Sequence, residues 1–180
     1  MTNTNMDTTE DMTAYTHSAV WYDTLYESLK DYSVEASRVL EIAEQRTGKH
    51  PRDMSLLDVA CGTGLHLQHL AAWFSKVVGI DLSPQQLEMA RKRLPEVNLI
   101  CADMLTFSLS TPGFLDRNPS FFDVVTCLFS SIGYMRDTEQ LEVAIMNLAR
   151  HRNTGGVIIV EPWLTPDTYD EVVGPPQIPG

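Results

Sequence analysis

Apolar positions along the chain change period several times, and those changes divide it into elements. Between residues 18 and 46, Val20, Tyr22, Leu25, Tyr26, Leu29, Val34, Ala36, Val39, Leu40 and Ala43 recur at helical spacing, which predicts one or two amphipathic helices. Residues 55–60 form a short apolar run that ends in Cys61-Gly62-Thr63-Gly64 and leads into a helical pattern over 65–74. The rhythm then repeats. Residues 76–80 read as a strand, 84–93 as a helix capped by Ser83 with Pro84 in its first position, and 97–101 as a strand. Residues 123–128 have the continuous apolar character of a buried strand, and 138–150 read as a helix. Residues 157–160 give a fifth strand after a break at Gly155-Gly156.

Five apolar strands separated mainly by helices predict an α/β fold: a Rossmann-like, doubly wound, mainly parallel sheet preceded by N-terminal helices. Such sheets take their ligands at the carboxyl ends of the strands. Residues 106–120, with Pro112, Gly113, Asn118 and Pro119, read as a loop insertion. The polar, acidic residues 1–14 read as a disordered arm, 15–165 as the folded domain and 166–180 as an irregular tail.

Composition narrows the partners. With 13 Lys and Arg against 24 Asp and Glu, the net charge of -11 repels phosphate backbones and anionic lipid headgroups. Neither nucleic acid nor membrane is therefore expected, and without a basic, apolar leader the chain reads as cytoplasmic. Cys61, Cys101 and Cys127 have neither a CxxC pair nor metal-ligand spacing, so they read as reduced core thiols and no metal is expected. The oligomeric state is open, a homo-oligomer included. An incomplete sheet with its edge covered by a partner subunit or by the N-terminal helices is one expectation.

Asp58-Val59-Ala60-Cys61-Gly62-Thr63-Gly64 is the richest stretch. Glycines between strand and helix let the backbone approach a ligand and aim N–H groups at a negative group. A dinucleotide site needs a third glycine where this chain has Leu67, and an acid opens the motif here. That acid suits a ligand with an ammonium beside a carboxylate, as at the methionine end of S-adenosylmethionine (SAM). Asp81, seventeen residues beyond Gly64, follows the second strand, where a carboxylate can accept both hydroxyls of a ribose. A helix N-terminal acid beside Ser83 is its plainer reading. Asp103 could take an adenine amino group, and Met104 could cover the ring. No GxxxxGK[ST] is present for a triphosphate.

Through DVACGTG, GIDLS, ADM and FDVVTCLFSSIGYM, the chain resembles the class I SAM-dependent methyltransferases over residues 15–163. It looks most like the small-molecule N-methyltransferases that dimethylate amino groups of nucleotide-linked deoxysugars, which share LLDVACGTGxHLxHL, CxFSSIG and VEPW. The resemblance implies that Asp58, Gly62 and Gly64, with Ala60 and Cys61 of the same turn, hold the methionine end of SAM. Asp81 with Leu82 would hold the ribose, Asp103 and Met104 the adenine, and Tyr22 and Phe129 complete the cofactor set. Tyr134 and Tyr15 are the catalytic candidates. Tyr134 stands where the sugar enzymes usually have His, and those enzymes continue beyond VEPW with further strands. Among the remaining residues, Tyr22 and Tyr26 at i and i+4 also suit helix packing, and His66 suits a structural role. Glu161 and Trp163 could line an acceptor pocket.

These features predict methyl transfer from SAM to a small-molecule acceptor, an amine nitrogen above all. The alternatives are a small-molecule O-methyltransferase, a silent or truncated SAM-binding module with a partner-binding role, and an NAD-dependent dehydrogenase, the last lacking its third glycine.

Overall fold

The computed structural model describes residues 30–109 and 121–162. Five strands, β1 (Ser55–Val59), β2 (Lys76–Asp81), β3 (Asn98–Cys101), β4 (Phe122–Cys127) and β5 (Arg152–Val160), form one sheet in the order β3-β2-β1-β4-β5. Every pairing is parallel. The chain winds outward from β1 through β2 to β3 and then returns to the other side of β1 as β4. The crevice of this doubly wound, Rossmann-like sheet therefore opens at the carboxyl ends of β1 and β4.

All five residues of β1 and all six of β4 are buried, because layers cover both faces of the sheet. On one face Leu56 and Val124 join Ala36, Val39 and Ala43 of α1 (Tyr32–Thr47), Leu67 and Leu70 of α2 (Leu67–Leu70), and Leu87 and Ala90 of α3 (Pro84–Arg93). On the other, Leu57, Val59, Val78, Ile80 and Val125 meet Phe107, Leu109 and, from α4 (Thr138–Arg150), Ala144 and Leu148. Each such aliphatic side chain contributes about 1.5–3 kcal/mol by leaving water. The alternation of Leu56 and Leu57 between two clusters is the period of two that a strand imposes.

The helix ends carry the polar residues that such ends need. Asp31 accepts the Ser33 and Val34 N–H groups at the start of α1, Ser83 accepts Gln86 N–H at α3, and Asp137 accepts Gln140 N–H at α4. Helices 84–93 and 138–150 have the bounds the sequence pattern predicts. No helix among the described residues is long and apolar enough to cross a membrane.

Several elements depart from expectation. The helix predicted over 65–74 shrinks to four residues at α2. Beyond it the chain turns down at once, and Ser75 N–H and Oγ both reach the Met54 carbonyl. Gly155-Gly156 does not break β5. It lies inside the strand, where the register jumps between the pairs Phe122–Arg152 and Val124–Val157, as at a bulge. Cys101 is exposed rather than in the core, since it ends the short edge strand β3, whereas Cys61 and Cys127 are buried free thiols. The arm, the tail, the helical pattern before residue 30 and loop residues 110–120 lie outside the described residues.

After β3 the chain is pinned to α4. Asn147 Nδ2 donates to the Met104 and Phe107 carbonyls, and Leu109 N–H donates to His151 Nε2. On the opposite flank, Val157 and Ile159 of β5 pack against the cluster that contains α1.

Gly79 sits where β2 is most tightly packed. A Cβ there would lie 2.7 Å from a Leu99 methyl, 2.9 Å from Cys61 Sγ and 2.9 Å from a Leu67 methyl. Gly79→Ala is therefore expected to cost about 1–3 kcal/mol by overpacking, read as a lower urea midpoint at unchanged m-value.

Candidate functional site

Two strands bring acids, Asp58 buried and Asp81 half-buried, to the mouth of the crevice. Asp58, 2% exposed in β1, receives the Thr126 hydroxyl from β4 at 2.7 Å. Burial pushes its carboxyl up to about 7; the Thr126 bond opposes this and the nearby Asp81 charge adds to it. Asp81 ends β2. Its Oδ2 accepts Gly62 N–H and its Oδ1 accepts Ser83 N–H, both at 2.8 Å. Burial raises its carboxyl, and the Ser83, Gly62 and Leu82 N–H groups hold it back.

The glycine turn folds over these acids. Ala60, Gly62 and Gly64 have φ of 60, 56 and 82°, left-handed values that glycine adopts freely and alanine does not. Cys61 N–H donates to the Ile80 carbonyl at 2.9 Å, fastening the turn to β2. A side chain at Gly64 would meet Leu94, with a methyl 2.9 Å from its Cβ.

The sequence suggests that these glycines aim N–H groups at a negative ligand. Instead Gly62 N–H is spent on Asp81, and the helix that follows has only four residues. One buried and one half-buried carboxylate beside the turn would repel a pyrophosphate. Together they suit a ligand that brings positive charge.

At the end of β3, Asp103 Oδ1 accepts Leu105 N–H at 2.8 Å, which shapes the turn, and both Asp103 and Met104 are half-buried. Ala102 N–H donates to the Asp81 carbonyl at 2.9 Å and keeps this turn beside β2. Leu82 is 49% exposed at the rim. Asp58, Ala60 to Gly64, Asp81, Leu82, Asp103 and Met104 thus occupy three adjacent strand ends.

Across the crevice Phe129 (φ 54°) and Ser130 (φ 57°) turn the chain out of β4. Tyr134 closes a short 3-10 segment, Ser131–Tyr134, and is 54% exposed. Tyr15, Tyr22 and Trp163 lie outside the described residues.

Thr126, Lys30 and Glu35 had no signal in the sequence, whereas their partners His66 and Glu161 did. Thr126 looks like any strand residue until β4 is placed beside β1. His66 is buried, with Nε2 2.7 Å from Glu35 Oε2, and Lys30 bridges Glu35 and Glu161. Glu35, His66 and Glu161 bring ligand atoms within 4.8 Å of one another, but the Lys30 ammonium sits 3.0 Å from both carboxylates, where a cation would go. Burial lowers the His66 pKa against the pull of Glu35, so the neutral ring donates from Nε2 to that carboxylate.

Asp58 also carries a pH signature. Its folded pKa of about 7 lies above the ordinary carboxyl value of 3.8, so the folded chain binds the proton more tightly. The associated stability is complete below about 4 and is lost as pH rises towards 7. Asp58→Asn should flatten that decline, with the variant gaining on the wild type between pH 4 and 8 by on the order of 1 kcal/mol or more. Urea unfolding at several pH values reads this directly; parallel curves for the two proteins would refute it.

Comparisons with known proteins agree with this geometry. A family described as "Methyltransferase domain" matches residues 56–156, more than half of the chain. A Streptomyces venezuelae protein named dTDP-3-amino-3,4,6-trideoxy-alpha-D-glucopyranose N,N-dimethyltransferase is 43% identical over 140 residues, 78% of this chain and 54% of that protein. A Saccharopolyspora spinosa dTDP-4-amino-2,3,4,6-tetradeoxy-D-glucose N,N-dimethyltransferase is 39% identical over 149 residues, 82% of this chain and 55% of its own length. The crystal structure of Streptomyces venezuelae DesVI superposes with a TM-score of 0.73 at 41% identity, covering 83% of this chain and 58% of that one. A SAM-bound amino pentose methyltransferase from Micromonospora echinaspora superposes with a TM-score of 0.73 at 34% identity and the same coverage. The chain spans about half the length of the curated relatives it matches. It belongs to the methyltransferase-domain family.

Proposed function

We propose that the chain binds SAM at the carboxyl ends of β1, β2 and β3 and takes part in methylating an amine nitrogen of a small, sugar-like acceptor. The observation that carries this reading is the set of acids at three adjacent strand ends, closed by a glycine turn whose first glycine N–H is committed to Asp81. The relatives supply the acceptor class, since their names specify N,N-dimethylation of nucleotide-linked amino sugars.

In this reading Asp58 and the turn Ala60, Cys61, Gly62 and Gly64 hold the methionine end. Asp81 uses its remaining lone pairs for the ribose hydroxyls under Leu82, while Asp103 and Met104 receive the adenine. Tyr22 and Phe129 complete the enclosure. Bound SAM supplies a sulfonium-activated methyl group, so the protein's task is to align the acceptor and exclude water. Tyr134, exposed at the rim, hydrogen-bonds the acceptor nitrogen and takes part in its proton loss; Tyr15 is its companion. An acidic protein of net charge -11 favours a small acceptor over a nucleic acid; the reading takes the reaction to be cytoplasmic and leaves the oligomeric state open, a homo-oligomer included.

Calorimetric titration with SAM and its demethylated product tests the cofactor. Both are expected to bind and NAD is not; Asp81→Ala should weaken binding about 100-fold or more by removing charge-assisted bonds to the ribose. Failure of the intact chain to bind either ligand would remove the reading. For the acceptor, Tyr134→Phe should lower turnover of an amino sugar about 10- to 100-fold with cofactor affinity unchanged. Undiminished turnover would strip that hydroxyl of its role.

A further inference from the structure

Beside the crevice, side chains from three separate stretches of chain meet at a fourth, the turn after β4. Lys30 precedes α1, Glu35 lies in its first turn, His66 follows the glycine turn, and Glu161 follows β5. Lys30 Nζ is 3.0 Å from Glu35 Oε1 and 3.0 Å from Glu161 Oε1. Glu161 Oε2 in turn accepts Phe129 N–H at 2.7 Å, and the Lys30 ammonium lies 4.3 Å from the centroid of the Phe129 ring. Tyr32 stands edge-on to His66, with ring centroids 4.8 Å apart.

Phe129 and Ser130 are successive non-glycine residues at positive φ, and each such residue costs about 1–3 kcal/mol unless its surroundings impose it. Here the surroundings do. Glu161 N–H donates to the Cys127 carbonyl at 3.0 Å, anchoring the Glu161 backbone to the last residue of β4. From that anchor its carboxylate reaches back to the Phe129 N–H, which has left the strand ladder. We propose that Glu161 and Lys30 are positioning residues that lock the left-handed Phe129-Ser130 turn, and with it the wall of the crevice on the β4 side.

The charge arrangement explains why both are needed. Burial would raise the Glu161 carboxyl, but Phe129 N–H and Lys30 overcome that and hold it low, so it stays ionised and accepts a charge-assisted bond. Without Lys30, Glu35 and Glu161 would face each other with His66, which Lys30 had helped to keep neutral, alongside. Two carboxylates so placed repel once both are ionised, and a displaced Glu161 no longer holds the Phe129 N–H. The consequence for catalysis rests on the SAM reading; the lock itself does not.

Lys30→Met, Lys30→Arg and the double variant Lys30→Met/Glu161→Gln test it in the full chain. In the ligand-free protein, Lys30→Met should speed amide hydrogen exchange at residues 129–134 about tenfold or more, with β1 and β2 unchanged. Lys30→Arg should match wild type. The double variant should recover most of the protection, because a neutral Gln carbonyl accepts the same N–H without repelling Glu35.

With the demethylated cofactor, the ratio of Lys30→Met to wild-type affinity should be near one at pH 5.5 and fall about tenfold by pH 8, as the proton that His66 and its two carboxylate neighbours share in the variant is lost. Unchanged exchange at 129–134, a uniform rise over the whole sheet, or no recovery in the double variant would each overturn the lock. If wild type fails to bind the cofactor product, the methyltransfer reading falls and the exchange data alone decide the lock.

Discussion

The bond from Gly62 N–H to the Asp81 carboxylate joins the ends of β1 and β2 and decides what the crevice can hold. A glycine turn at a strand-to-helix junction is in principle an anion cradle. Here an internal carboxylate already takes the first N–H, and the helix behind it is too short to present a strong dipole. The same bond fixes Asp81 at the rim, and Cys61 N–H to the Ile80 carbonyl reinforces the junction. Gly79 makes the join possible, since any side chain there would push Cys61 and Leu67 away from β2.

Electrostatic self-consistency runs through the rest of the site. Asp58 and Asp81 are both pushed upward by burial, and Asp58 also by the Asp81 charge, which suits a ligand that brings positive charge. Across the crevice the carboxylates Glu35 and Glu161 have a cation of their own in Lys30, so they are compensated before any ligand arrives. One side of the crevice is poised to receive charge and the other is balanced internally. That division follows from where the chain crosses: Glu161, just after β5, meets Lys30, just before α1, whereas Asp58 and Asp81 have no ion pair among the described residues.

Backbone strain is concentrated at the same place. Ala60 follows β1, and Phe129 and Ser130 come just after β4; these are the non-glycine residues at positive φ among the described residues. They flank the point where the order of strands reverses. Strain at such positions is sustained by buried hydrogen bonds on both sides, and the buried Asp58–Thr126 bond sits between them.

Much of the fold was legible in the sequence because period and punctuation are local properties. Continuous apolar runs marked the buried parallel strands, and Ser83-Pro84 marked a helix start that needs only its own neighbours to form. The acids Asp58, Asp81 and Asp103 stood out because each follows or ends a strand. Other features were decided only in three dimensions. The truncation of α2 depends on Ser75 reaching Met54, the continuity of β5 through Gly155-Gly156 depends on a bulge against β4, and the exposure of Cys101 depends on β3 lying at the sheet edge. Thr126 gained its partner when β4 was laid beside β1. Lys30 and Glu161 are 131 residues apart, a separation that no periodicity or motif spans. Local sequence sets the elements because their hydrogen bonds and apolar stripes are short-range; tertiary structure sets the charge pairing, because that requires distant segments to lose their water together.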